Sequence, residues 1–236
     1  MSTFSKNKMI KNLYYLTSFF AVIGLSSPSF SQNTAPGIVW QRCLGGTGME
    51  PFVTAAQIAD GSYIIAGREG SNDGDVTCST GTVNLLVMKL APDGEVLWQR
   101  CFETDYQGWK VVANSDGGFL MAGKTTSNDC GGSSNQGDAD AWIVKMDADG
   151  EIEWQRCHGG TAYEEIWDLH QTSDGGFVMA GRTTSNDGDV SGNHGDSDAW
   201  VVKLDAAGEI QWQKCLGGTA NDDARSAKRH RTGVMS

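Results

Sequence analysis

Between residues 164 and 216 the chain alternates short apolar runs with polar turns: "EEIWDLHQT", "SDGG", "FVMAGRTTS", an Asp-rich loop, "DAWVVKLD", "AAGE" and "IQWQKCLGG". The apolar runs are rich in β-branched and aromatic residues, and Asp-Gly or Gly turns of hairpin type separate them. No segment sustains a helical period, so the stretch reads as a four-stranded antiparallel meander. The order recurs along the chain. "VWQRCLGGT", "LWQRCFETD", "EWQRCHGGT" and "QWQKCLGGT" place Trp40, Trp98, Trp154 and Trp212 at spacings of 58, 56 and 58 residues. Such a period is the signature of a repeat architecture. "WVVKL" and "FVMAG" are apolar on both faces, as in a sheet packed between two neighbours. The pattern predicts an all-β fold, a β-propeller-like array of four-stranded antiparallel blades. Residues 32–226 carry about three complete units, ending near Trp98, Trp154 and Trp212, and then a partial one.

The pieces come in an informative order. The repeats open on a fourth-strand segment, "IVWQRCLGG", expected to complete the last blade, and they end on "GGTANDDARS", the start of another unit. Propellers usually have at least four blades, so the array is expected to be truncated and its incomplete ring open to self-association. Residues 227–236, "AKRHRTGVMS", are basic where an Asp-Gly-Gly turn is due. Codons permitted from the third base of the Ala227 codon spell Gln-Thr-Thr-Ser-Asp-Gly-Gly-Tyr-Val, so this tail is expected to be out of frame.

Residues 1–31 carry Lys6, Lys8 and Lys11, then "LYYLTSFFAVIGL", then Ser29 and Ser31 before Gln32. That is the three-part layout of a signal peptide, which predicts an exported chain, extracellular, at the cell surface or in the periplasm. No later stretch approaches the ~20 apolar residues of a membrane-spanning helix. Removing three lysines takes the formal charge from -11 to -14. Such a balance repels nucleic acid and suits cations or a solvated surface.

"WQRCHGGT", "HQTSDGGFVMAG" and "SNDGDVSGNHGDSDAWVVKLDAAGE", with their copies, cover nearly all of residues 38–226. They resemble a widespread family of exported bacterial and archaeal repeat proteins. Its pattern runs WQK-x-x-GG, then QTSDGG, SNDGDVSGNHG and DAWVVKLD. The resemblance implies a propeller or propeller-like array, often in surface proteins with a type IX sorting domain. Some relatives are labelled endoglucanase-like or lipoprotein, with no shared catalytic motif behind the labels.

Candidate chemistry concentrates in the loops. "DGDVSGNHGDSD" puts Asp187, Asp189, Ser191, Gly192 and Asp198 at positions 1, 3, 5, 6 and 12 of a calcium-loop pattern. Alternating oxygens around a glycine suit a hard cation that takes ~6 to 8 oxygen ligands. Asp at twelve and flanking strands depart from that pattern, and a solvated Asx-turn loop is the other reading; no other cofactor is expected. Trp109 and Trp167 align, with Val53 in their place in the first unit, as candidate glycan-stacking rings or as core. Cys43, Cys101, Cys157 and Cys215 lie three residues after each repeat Trp and are expected to be small core residues, while Cys78 and Cys130 fall in loops, to form a disulfide or to stand as two free loop thiols. Asp60, Asp116 and Asp174 are expected to cap turns. Glu164 with Glu165 is a candidate carboxylate pair for glycoside hydrolysis. No catalytic residue is assigned, because no H-E-x-x-H, C-x-x-C or G-x-S-x-G context exists.

The whole reads as an exported, non-catalytic repeat protein that binds or scaffolds a surface protein or a glycan. The alternatives are a polysaccharide-active hydrolase, endoglucanase-like, or its accessory domain, and a truncated fragment without function. Sequencing the locus checks the truncation: the second frame is expected to continue into further WQK and SDGG units, and a frame without them refutes it.

Overall fold

In the computed structural model, residues 37–50, 52–68, 70–78, 85–102 and 107–227 are described. The predicted signal peptide, and the predicted tail beyond Ala227, lie outside them. The chain divides into two compact units, Met1–Cys43 and Leu44–Ser236. Of the first, residues 37–43 are described and have no strand. The expectation that "IVWQRCLGG" forms a fourth strand is therefore corrected: residues 38–46 carry no regular secondary structure.

The second unit is all-β. Its first sheet holds β1 (Phe52–Gln57), β2 (Tyr63–Arg68), β3 (Leu85–Leu90) and β4 (Val96–Phe102). The second holds β5 (Gln107–Ala113), β6 (Phe119–Thr125), β7 (Asp140–Met146) and β8 (Ile152–His158). The third holds β9 (Glu164–Gln171), β10 (Phe177–Thr183), β11 (Asp198–Leu204) and β12 (Ile210–Leu216). Each is an antiparallel meander in sequence order, and no sheet closes on itself. The first strand of every sheet carries a bulge at the same repeat position, Val53, Trp109 or Trp167, where the pairing skips one residue. A bulge bends its strand and increases the local twist.

The turns explain themselves. Asp60, Asp116 and Asp174 each accept the N–H two residues on, from Ser62 (2.8 Å), Gly118 (3.0 Å) and Gly176 (3.1 Å). The intervening Gly61, Gly117 and Gly175 have φ of 85°, 99° and 83°, a left-handed conformation that favours glycine. The same aspartates pair with the lysine of the third strand, Lys89, Lys145 or Lys203. A long lysine in an otherwise apolar strand thus reaches a charge at the sheet's end.

Stacking uses both faces of a sheet. Ile64, Ala66, Leu85 and Val87 of the first sheet pack on Val111, Phe119, Met121 and Val144 of the second. Leu120, Ala122 and Ile143 on the second sheet's other face meet Phe177, Met179 and Val202 of the third. The first strands β1, β5 and β9 lie side by side.

Cys157 and Cys215 are buried in the core as expected, but the expected Cys78–Cys130 bridge is overturned. Cys78 pairs with Cys101 (Cα–Cα 5.6 Å) and Cys130 with Cys157 (Cα–Cα 5.7 Å), so no bridge joins Cys78 to Cys130. The reason is the path of the loop between second and third strands, which folds back over the fourth strand of its own sheet. Gln99, the residue after the repeat Trp, accepts from Thr77 N (2.8 Å) and donates to Asp75 O (3.0 Å). Gln213 donates to Ser191 in the same way, and Ser133 Oγ accepts from Cys157 N (2.9 Å). Each bridge is therefore a loop-to-edge staple within one sheet, closing 23 and 27 residues of chain. In the third unit Gly192 stands where the first has Cys78, which leaves Cys215 a buried free thiol. Cys43 is free and exposed, not core.

Each staple is expected to contribute about 3 kcal/mol by restricting the unfolded chain. Thiol titration should find Cys43 in the native protein, Cys215 in addition on unfolding, and all six cysteines only after reduction. Peptide mapping that recovered a Cys78–Cys130 crosslink would refute the pairing.

Candidate functional site

The "GGT" loops at 45–47 and 159–161 each meet the Asp-rich loop of the following sheet. The backbone N–H groups of the first supply donors, and the carboxylates of the second accept them. Thr161 N and Oγ1 both donate to Asp187, each at 2.8 Å. Thr47 repeats this with Asp73, at 2.7 and 2.9 Å. Hydrogen bonds to the Thr backbone and hydroxyl hold the carboxyls of Asp187 and Asp73 below the usual range. Close approach demands glycine here, since a Cβ on Gly160 would stand 2.6 Å from the Asp187 carbonyl oxygen.

A second carboxylate closes the "GGT" loop from within. Glu50, Glu164 and Asp222 accept from the glycine N–H four residues earlier, Gly46 (3.1 Å), Gly160 (2.8 Å) and Gly218 (2.9 Å). Glu164 is fully buried and also accepts from Thr183 Oγ1 (2.6 Å) and Ser185 N (3.3 Å). Its neighbour Glu165 is held by Tyr163 OH (3.1 Å) and Arg182 (3.6 Å). Consecutive strand residues point to opposite faces, so these two carboxyls do not confront each other across a substrate. The hydrolytic pairing of Glu164 with Glu165 is corrected on that ground.

The four residues of the calcium-loop pattern are likewise not brought together. Asp187 belongs to Thr161. Asp189 Oδ2 accepts from Gln136 Nε2 (2.8 Å) and Gly159 N (3.2 Å) and stands 3.8 Å from His158 Nδ1. Ser191 Oγ takes Gln213 Nε2 at 2.6 Å. Asp198, fully buried, accepts from His194 through N (3.2 Å) and Nδ1 (2.6 Å). Among the described residues no cluster of three or more His, Cys, Asp or Glu is placed to hold a metal ion. The loop's oxygens serve as clips to neighbouring backbone and side chains.

Trp167 is half-buried, with the guanidinium of Arg225 4.2 Å and that of Arg182 5.6 Å from its ring. Cations over an indole face occupy the surface a sugar ring would need. The side chain of Trp109 lies outside the described residues.

What the rim does form is a polar cleft of about 560 Å³ between the second and third sheets, lined among others by Ser133, Gln136, Arg156, His158, Asp189 and Glu209. Arg156 Nε pairs with Glu209 Oε1 at 2.9 Å, and His158 Nε2 lies 2.8 Å from Gly208 O. Burial pushes Asp189 up, but His158 and the Gly159 N–H outweigh it and keep the carboxyl below its ordinary value. His158 is not among the candidates that the sequence pattern singles out. The available signal was broken symmetry: Leu44, Phe102 and Leu216 occupy the equivalent place in the other copies.

Below the cleft, Asp140 is fully buried and its Oδ1 has no hydrogen-bond partner. That oxygen and Glu164 Oε2 lie 2.7 and 2.5 Å from the point where a Gly159 Cβ would sit, so Gly159 leaves the two carboxyls room to approach. Desolvation, then the charges of Glu164 and Asp189, push Asp140 up to about 6. Asp198 Oδ1 repeats the arrangement beside Asp222 across Gly217, also without a partner.

No protein-family model matches the chain. A stretch of 157 residues is 29% identical to the regulatory protein FlaEY of Caulobacter vibrioides, covering 61% of this chain and 16% of that protein. Among solved structures, a protein of unknown function from Bacteroides caccae is 16% identical with a TM-score of 0.31, over 80% of this chain and 76% of that one.

The raised carboxyl of Asp140 fixes a sign. Its contribution to stability is fully present below the ordinary value of 3.8 and is lost as pH rises through about 6. Asp140→Asn removes the buried charge and offers an amide to Glu164. It should therefore stabilise the fold at pH 7.5 by on the order of 2 kcal/mol, read as a higher melting temperature, and leave stability nearly unchanged at pH 4. Equal effects at both pH values would contradict the assignment.

Proposed function

We propose that this is an exported, non-catalytic binding or scaffolding protein, built as a propeller-like array, whose rim loops recognise a surface protein or a glycan. The observation that carries the reading is the polar cleft beside His158, where a buried polar side chain replaces the apolar residue of the other copies. The walls of this cleft are preorganised. Asp189 and Asp187 pin the Asp-rich loop to the preceding "GGT" loop, and the Cys130–Cys157 staple fixes the opposite lip. Preorganised polar walls lower the ordering cost of binding. The three-part N-terminal segment and the resemblance to exported repeat proteins support export. No observation favours hydrolysis over binding, since Glu209 is tied to Arg156 and Asp189 is held ionised.

The test is a titration of the immobilised full chain with β-glucan, chitin and mannan oligosaccharides and with peptidoglycan fragments, read by bound mass and by reducing-end release. Saturable binding of one class without release is expected, weakened at least tenfold by His158→Leu. Release of reducing ends that disappears in Asp189→Asn would instead make the cleft a hydrolytic site. Binding that His158→Leu does not touch would remove the cleft from the reading.

A further inference from the structure

Two interfaces inside the molecule show what a fourth strand of this repeat packs against. The Trp98 ring lies 6.3 Å from that of Phe119, the first residue of the next sheet's second strand. Gly150, in that sheet's third turn, approaches so closely that a Cβ would stand 2.8 Å from the indole. Arg100 donates to Asp149 O (3.2 Å) and pairs with Glu151 of the same turn. The following interface repeats the ring, glycine and ion-pair contacts: Trp154 lies 6.2 Å from Phe177, Gly208 sits against its ring, and Arg156 pairs with Glu209. An aromatic ring, a glycine and a glutamate thus cover a tryptophan and an arginine twice, with the rings stacked at 25° in the first interface and tilted at 59° in the second.

The third sheet presents the same face uncovered. Trp212 and Leu216 are 42% and 53% exposed, and Lys214, in the place of Arg100 and Arg156, is exposed beside them. They border an apolar groove of about 660 Å³ whose floor is Ala180 and Val201 and whose far wall is Ala224 and Ala227. The equivalent floor in the second sheet, Ala122 and Ile143, is fully buried under Phe177, Met179 and Val202. The far wall is the start of a further unit. Asp222 N donates to Ser197 O (2.8 Å) as Glu164 N does to Ala139 O (2.7 Å). Ala227 N donates to Asp168 Oδ2 (2.9 Å) as Val111 N does to Thr54 Oγ1 (3.0 Å). The first-strand place beside the third sheet is therefore filled, and the second- to fourth-strand places among the described residues are not.

We propose that this face docks a three-stranded antiparallel meander of the same repeat type, presented by a partner polypeptide. It brings an aromatic side chain over Trp212 at the start of its first strand and a Gly-Glu turn whose glutamate pairs with Lys214. The chemistry is set by the two internal interfaces; the Arg156–Glu209 pair of the second also lines the rim cleft, but no residue of the uncovered face does, so the proposal stands or falls independently of the function argued above.

The test titrates the full chain with a synthetic peptide of residues 173–216, which carries Phe177, Gly208 and Glu209 and orders its strands only against the face it docks on, and reads bound mass, the gain of β-sheet circular dichroism and tryptophan emission. Saturable binding with a blue shift is expected, and Trp212→Ala, at a half-exposed site, should weaken it at least tenfold. Lys214→Glu should weaken it several-fold, and the peptide with Glu209→Lys should restore it. Absence of saturable binding, or binding indifferent to Trp212→Ala and without the charge-swap rescue, overturns the proposal. So does a concentration-dependent dimer of the chain alone that Trp212→Ala abolishes, because the face would then belong to a second copy.

Discussion

A β-sheet that is apolar on both faces cannot be stable alone, and the three sheets among the described residues are of that kind. All six residues of β3 are buried, as are most of β6, β7 and β10. At about 25 cal/mol per Å² of apolar surface, leaving one face wet would offset much of the gain from burying the other. Each sheet therefore depends on its neighbour. The repeat Trp is the contact through which that dependence is directional: it belongs to the fourth strand of one sheet but is buried by the second strand and third turn of the next. Gly150 and Gly208 follow from this, since no side chain fits between turn and indole.

The abundant acids have a related explanation. A chain of net charge -11 with repeated Asp-rich loops invites a cation, yet the carboxylates mostly meet N–H groups of the same molecule. A loop that joins sheets has backbone donors without a ladder, and a short carboxylate is an effective acceptor for them. Asp187 on Thr161, Glu164 on Gly160 and Asp174 on Gly176 are three versions of that arrangement. Asp140 and Asp198 are the exceptions, each with one buried oxygen left over, and burial there shifts Asp140 toward its neutral form.

Strand number, order and turns were legible because they rest on local rules: period-two or continuous apolar runs, Asp-Gly turns and a period near sixty residues. The bulge at Val53, Trp109 and Trp167 sits where alignment of the copies placed matching residues. What escaped were contacts between segments whose mutual path the pattern does not encode. Cys78 reaches Cys101 because the loop crosses back to its own sheet's edge, whereas the loop positions of the two cysteines had left a Cys78–Cys130 bridge or two free thiols as the expectations. The calcium-loop spacing failed for a similar reason. Asp187, Asp189, Ser191 and Asp198 have the right intervals, but with strands on both sides the backbone aims each of them at a different partner.

In a repeat protein, identity between copies reports packing, so the differences carry the individual chemistry. Three positions of the fourth strand illustrate this. Phe102, His158 and Leu216 are one position in three sheets: Phe102 packs into a core, His158 is buried between sheets at the lip of a polar cleft, and Leu216 is exposed. Cys101 and Cys157 are stapled while Cys215 keeps a thiol that burial pushes up to about 11. Trp98 and Trp154 are covered and Trp212 is not. Only the His158 difference is a change of residue at the position itself. The Cys215 and Trp212 differences arise elsewhere, from the residue opposite the cysteine and from the surface that covers the next Trp. A comparison of aligned letters finds the first kind directly, but the other two emerge only when each residue is considered together with what faces it.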